Sequence, residues 1–399
     1  MNVKDPNADP ELMRLLKDHA HDDPAKLALL WSKKKDFPLT WMLNQIAGRQ
    51  IAKNKIPSWF SCDAIIYPSG IALEQCSSEL TALYKTQLTQ ASRIADLTGG
   101  LGVDTWAFSL TADEVLYCEP HAERFECAQH NFKSLGRNTI HCEHITAEDS
   151  FPILEKFKPD LIYLDPSRRD ANQRRAFLLS ALQPDILQLK EKLLGIAPEI
   201  LLKAAPMLDI KEAIRLLENV KSVHILSTKN ECKELVFLIG RDKIDDQHVY
   251  CVELQENKKI SFDFRYAHEE KLEIITGPID NFIFDPYASV TKAGAFKSIS
   301  EKFKINALHA NTHLYTHDQH VKGFPGKTFK VIEVLPYDPS LLRESVSDGK
   351  AALAFRNFPV SPAEVEKKLK MKSSASVYLF FVTDHDAHLR VIKCELINN

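Results

Sequence analysis

The chain has 399 residues, 44% apolar and 26% charged, a globular composition that excludes a disordered, collagen-like or coiled-coil protein. At roughly 100–200 residues per domain it holds two or three domains. With 51 basic against 54 acidic side chains the net charge is -3, so bulk basicity does not point to a polyanion, and any nucleic-acid contact must come from a local patch.

Residues 1–90 read as a helical segment, in which periodic stretches such as PELMRLLKDHA and PAKLALLWSKK are separated by Pro, Asp and Gly breaks. The run Lys33–Lys35 reads as a solvated helix face. LEQCSSELTALYKTQL reads as a helix capped by Ser77 or Ser78. The amino terminus is too polar for a signal-peptide core, and no apolar run is long enough to span a bilayer. The eight cysteines are scattered without a C-x-x-C pair, so they read as reduced thiols of a cytosolic protein. No obligate protein partner is evident.

From residue 91 short apolar runs alternate with helical stretches: RIADL, EVLYCE, NTIHCEHI, DLIYLD, EILLKA, SVHILS and ELVFLIG. The spacing of the first six suits parallel βαβ crossovers, whereas the last two are too close for a helix and predict an antiparallel return. The expected fold class is α/β, a doubly wound Rossmann-like sheet with an antiparallel last strand, over residues 91–270. Beyond it, VYCVEL and ISFDFRY alternate like a hairpin. FIFDPYASVTKAGAFKSIS reads as a strand, a Pro turn and a helix within a small α+β, ferredoxin-like insert at 271–330. A second α+β domain, with the helix PAEVEKKLKMK, is expected at 331–399.

The most informative stretch is Asp96-Leu-Thr98-Gly99-Gly100-Leu-Gly102-Val-Asp104, between the first strand and a helix. Its glycines let the chain turn sharply and expose bare backbone to a ligand. About 20 residues on, Glu119 and Pro120 end the second strand, where an acid can accept hydrogen bonds from ribose hydroxyls. Two nucleotide-type cofactors suit such a turn. A dinucleotide wants G-x-G-x-x-G, which this spacing does not satisfy. S-adenosylmethionine (SAM) has no phosphates to hold and needs an acid near its cationic amino group, which Asp96 supplies.

D-L-T-G-G-L-G-V-D, then Y-C-E, then L-D-P-S-R-R-D, resembles the class I SAM-dependent methyltransferases, and most of all a bacterial group with a THUMP-like domain at its carboxy end. Thr98 stands where the usual D-x-G-x-G-x-G has its first glycine. The resemblance extends to L-E-Q-C-S-S-E, which puts Gln75 and Ser77 near the cofactor, to F-D-P-Y-A-S-V-T-K-A-G-A, and to R-N-F-P-V-S-P-A-E-V-E-K-K-L-K. It implies that an acid after the third strand, Asp149 or alternatively Glu148, accepts from the adenine amino group, with Ser150 lining the ring. A helix cap is the other reading of Asp149 and Ser150.

The fourth strand ends in Asp165-Pro166-Ser167-Arg168-Arg169, at the position where open α/β sheets bind ligands. Asp165 is expected to accept a proton or orient an amine, and Pro166 to fix the turn. The loop resembles the [D/N]-P-P-[Y/F] signature of base-amine methyltransferases but lacks its second proline and its aromatic. Arg168 can stack on a base, and Arg169, Arg174 and Arg175 complete a cluster suited to a phosphate backbone. Lys203, ending the fifth strand, is a weaker candidate for the same pocket. The series His309, His313, His317 and His320 lacks acidic or thiol companions at ligand spacing, so no metal is expected. A nucleophilic cysteine would need a loop position near strands four to six, and the sequence has none there. The implied function is methyl transfer from SAM to an RNA base, with a protein or small-molecule acceptor, or a non-catalytic SAM or RNA binder, as alternatives.

Overall fold

The computed structural model describes residues 9–34, 37–68, 70–168, 179–346, 348–372 and 376–397. Helices alternate with β1 (Arg93–Asp96), β2 (Glu114–Cys118), β3 (Ile140–Glu143), β4 (Leu161–Leu164) and β5 (Glu199–Ala204). The pairs β1–β2, β1–β4, β2–β3 and β4–β5 are all parallel. Buried residues run almost unbroken along β1, β2, β4 and β5, as they must in parallel strands covered on both faces. β3, at the sheet edge, instead alternates half-buried and exposed positions.

Two longer strands follow, β6 (Val220–Thr228) and β7 (Glu231–Gly240). The residues between them, Lys229 and Asn230, have φ of 52° and 59°. Two successive left-handed residues make the turn whose twist suits an antiparallel hairpin, so the expected reversal is present.

The chain divides into two compact units: Met1–Lys221 with Val236–Ile244, and Ser222–Leu235 with Asp245–Asn399. In the first, the strand order is β7–β5–β4–β1–β2–β3. The chain runs outward from β1 through β2 to β3, then returns to place β4 on the other side of β1. This doubly wound arrangement has its switch point between β1 and β4, and a ligand crevice belongs beyond their carboxyl ends.

Helices Pro10–Asp18 and Pro24–Trp31 are capped by Asp9 and Asp23, each followed by a proline in the first turn. The extended segment before β1 is clasped by two side-chain amides. Tyr67 N donates to Gln45 Oε1 (2.9 Å) and Gln45 Nε2 donates to Tyr67 O (2.7 Å). Ile66 is held the same way by Asn131, at 2.9 and 2.8 Å. These amides supply the partners a neighbouring strand would have given. Trp59 packs edge-on against Trp106 of the helix after β1, ring centroids 6.3 Å apart, within one apolar cluster.

In the second unit β8 (His248–Leu254) pairs parallel with β6 and forms the expected antiparallel hairpin with β9 (Lys259–Arg265). A seven-stranded sheet follows, built from β10 (Phe282–Pro286), β11 (Asn306–Ala307), β12 (Tyr315–His317), β13 (Gly326–Pro336), β14 (Ala352–Arg356), β15 (Tyr378–Thr383) and β16 (Leu389–Ile397). Its order is β11–β12–β10–β13–β16–β15–β14. β13 pairs antiparallel with β10 through its first half and with β16 along almost its whole length. The stretch expected as an insert and the stretch expected as a terminal domain therefore share one sheet. The helix Pro362–Leu369 is capped by Ser361 and lies between β14 and β15 in the chain.

Candidate functional site

The site is built where the carboxyl ends of β1, β2, β4 and β5 meet. Asp96 closes β1 and is almost wholly buried. Its Oδ1 accepts from Thr98 N (3.0 Å) and Thr98 Oγ1 (3.4 Å), and its Oδ2 from Thr105 Oγ1 (2.6 Å). Burial pushes its carboxyl up to about 7, against the pull of the hydrogen bonds from Thr105 and Thr98. The neighbouring carboxylates Asp104 and Asp165 push it further in the same direction.

Gly100 and Gly102 take φ of 54° and 80°, which a side chain resists. A Cβ on Gly102 would lie 2.3 Å from the Phe132 ring, and one on Gly99 2.1 Å from the Tyr117 ring. At Gly100 the nearest atom to a Cβ is 3.8 Å away, so bare backbone faces open space there. Tyr117 Oη braces the turn from below by donating to Gly100 O (2.7 Å).

Glu119, just beyond β2, is buried and pinned at both carboxylate oxygens. Gly100 N donates to Oε2 and His121 N to Oε1, each at 2.8 Å. Each oxygen keeps a lone pair for a further donor. Pro120 passes its carbonyl to His144 Nε2 (2.9 Å).

Ser77 and Asp104 come together in one buried network. Lys85, fully buried, sits 2.9 Å from Asp104 Oδ1 and donates to Ser77 Oγ at 3.0 Å. Asp104 Oδ2 accepts from Ser77 Oγ (2.8 Å) and Tyr163 Oη (2.9 Å). Burial alone would raise the Asp104 carboxyl, but Lys85, then Lys203, and the hydrogen bonds from Lys85 and Ser77 hold it below its ordinary range. Sequence reasoning missed Lys85 and Tyr163. A lysine on a short amphipathic helix and a tyrosine in a strand carry no local sign of such a partner.

Asp165, half-buried, is anchored at two points. Its N–H donates to Thr98 Oγ1 (2.6 Å), and its Oδ2 accepts from Lys203 Nζ (2.5 Å). Pro166 is buried beside it. Cys76 also belongs to this neighbourhood. Burial pushes its thiol up to about 11, and Lys55, Asp104, Lys203 and Asp165 all act on it. It arrives from the segment before β1, which spacing along the strands could not reveal. Gln75 is exposed at the end of the helix Gly70–Gln75, whose last carbonyls accept from Lys55 Nζ.

Glu148 and Asp149 are exposed and Ser150 is buried. Asp149 and Thr146 bond reciprocally, Thr146 Oγ1 donating to Oδ2 (2.7 Å) and Asp149 N to Oγ1 (3.1 Å). The helix Phe151–Phe157 that follows has no side-chain cap, so neither Asp149 nor Ser150 serves that purpose. The backbone of Ser167–Arg168 pairs with Leu182–Gln183. The Arg168 side chain, together with Arg169, Arg174 and Arg175, lies outside the described residues. Among the described residues no group of His, Cys, Asp or Glu could hold a metal ion.

An acid-lined crevice with bare backbone at Gly100 and no phosphate cradle fits a cationic nucleoside better than a dinucleotide. The comparisons with known proteins agree with this chemistry. Residues 282–325 match the model of a ferredoxin-like domain, and residues 326–395 that of a THUMP domain-like family. A solved structure from Porphyromonas gingivalis W83, provisionally named a methyltransferase, is 28% identical. The match covers 99% of this chain and 100% of that one with a TM-score of 0.88. Also similar are the tRNA m1G37 methyltransferase of M. jannaschii (15% identity, 42% of this chain, 51% of that one, TM-score 0.30) and a methyltransferase from Geobacter sulfurreducens (13%, 55%, 98%, 0.31). At those scores the overlap carries no argument. No curated protein sequence matches the chain.

The fold is Rossmann-like, that of a class I methyltransferase. More particularly, the chain has the architecture of the methyltransferase group that ends in a THUMP-like domain.

Proposed function

We propose that the protein transfers a methyl group from S-adenosylmethionine to a nucleic-acid base, in RNA such as tRNA or rRNA. The observation that carries this reading is the junction of the phosphate-free, acid-lined glycine turn with the doubly anchored Asp165. When bound, SAM supplies a methyl group already activated by its sulfonium. Asp96 offers a buried negative charge to the ammonium. Glu119, oriented by Gly100 and His121, keeps lone pairs for the ribose hydroxyls. Asp149 or Glu148, with Ser150, serves the adenine edge. Asp165 aligns the acceptor and takes its proton, so that a neutral methylated base leaves.

The choice of RNA rests on the THUMP-like match at residues 326–395 and on the arginines 168, 169, 174 and 175, assigned here to backbone phosphates. Among the described residues no helix is long and apolar enough to cross a membrane. The reading places the enzyme in the cytoplasm.

Incubating total RNA with methyl-labelled SAM, with and without the protein, tests the proposal. Label in RNA that disappears with Asp165→Ala and weakens with rising salt is the expected result. Label in protein or small molecules would reassign the acceptor. Calorimetry showing NAD binding and no SAM binding would overturn the cofactor.

A further inference from the structure

The four charges behind the reaction centre alternate in sign. Lys85 is fully buried against Asp104, and Lys203, with a side chain only 12% exposed, is paired with Asp165. The two pairs feel each other, since Lys203 is the second cation that holds the Asp104 carboxyl down. The Asp165 carboxylate is thus fixed by a lysine that is itself flanked by a second carboxylate and backed by a second lysine. On the other side, Thr98 fixes the Asp165 main chain from the turn after β1, at the position where the usual motif has a glycine. A glycine there would offer no hydroxyl to receive that N–H.

We propose that Lys203 and Thr98 are the positioning residues of Asp165, Lys203 holding its carboxylate and Thr98 its backbone, so that Lys203 acts through Asp165 and not on the phosphates of the substrate. This rests on the reading of Asp165 as the group that meets the acceptor. A displacement of about 1 Å at such a group costs on the order of 10²-fold in rate, and a change at Lys203, on β5, does so without touching the cofactor turn after β1.

Two experiments on the full-length protein test the assignment. In steady-state methylation of RNA, Lys203→Met is expected to lower kcat by about 10²-fold with KM for RNA and calorimetric affinity for SAM changed less than threefold. Lys203→Arg recovers part of the lost rate. Thr98→Val lowers kcat about tenfold, and Thr98→Ser, which keeps the hydroxyl, recovers most of it. A Lys203→Met variant that loses RNA affinity at unchanged kcat would overturn the proposal and make Lys203 a phosphate ligand.

The second experiment needs no activity. Thermal unfolding of Asp165→Asn, Lys203→Met and the double variant is expected to be non-additive, the double variant losing less than the sum of the singles. Strict additivity would overturn the anchoring. Should the wild-type protein methylate nothing, the functional reading fails on that ground, and the unfolding cycle still judges the anchoring by itself.

Discussion

Asp96 is a carboxyl that burial has moved into the range of ordinary working pH. Its value of about 7 means that it carries a proton at pH 6 and is ionised at pH 8. A cation placed beside it favours the ionised form, so cofactor affinity rises with pH through 7. If only the ionised form binds, SAM affinity increases about tenfold from pH 6 to pH 8, with protons released on binding near pH 6. Calorimetry at three pH values in buffers of different ionisation enthalpy checks both. A flat profile would detach Asp96 from the cofactor. Gly102 makes a second case, because its φ of 80° and the Phe132 ring 2.3 Å from a Cβ both resist a side chain. Gly102→Ala is expected to cost about 2–4 kcal/mol of stability, seen as a lower denaturant midpoint. The turn, Asp96, Glu119 and Asp165 were legible because they are local: a glycine cluster and an acid at fixed spacing announce themselves. Lys203 could be placed in the same pocket from the end of its strand, but its pairing with Asp165 could not, and Lys85, on a short helix, gave no sign that it would meet Asp104.

At the scale of elements, the parallel strands could be read from apolar runs, and the β6–β7 reversal from its short connection. The stretch 73–88 was expected to hold a helix capped by Ser77 or Ser78, and the helix Glu79–Thr86 is capped by Ser78. A separate short helix, Gly70–Gln75, precedes it; Ser78 accepts from Thr81 N at the second start, and Ser77 is turned into the buried network. A cap signal marks where a helix can begin, and tertiary partners decide which of two serines does the capping. The amide clasp on Ile66 and Tyr67 left no trace in the sequence, because Gln45 and Asn131 look like ordinary polar helix residues. Asn131→Ala strands the N–H of Ile66 in the interior and leaves its C=O only the weak Cys127 Sγ donor (3.2 Å). The expected loss is about 2–4 kcal/mol, with Asn131→Asp failing to restore it, as a carboxylate cannot donate to the Ile66 carbonyl. Equilibrium unfolding in urea provides the measurement.

For the whole molecule, composition suggested two or three domains and texture placed their borders near residues 270 and 330. By contacts the chain divides within β6, within β7 and just after it, while the two family matches meet at 325/326, and a single sheet runs through both of them. A change of texture reports the local alternation of strands and helices, which is blind to which strand will neighbour which. β13 looks like any strand in sequence, yet it is flanked by β10 on one side and β16 on the other. Removal of residues 326–399 is therefore expected to unfold the 282–325 stretch as well, which limited proteolysis will show as cleavage within it. If that stretch resists proteolysis without its neighbour, the two are independent after all.

The placement of β16 has a further consequence for folding. Leu389–Ile397 is inserted between β13 and β15, near the middle of the sheet. Until it docks, those two neighbours present unpaired edges across an open seam, so the sheet closes into one surface only when this strand is seated.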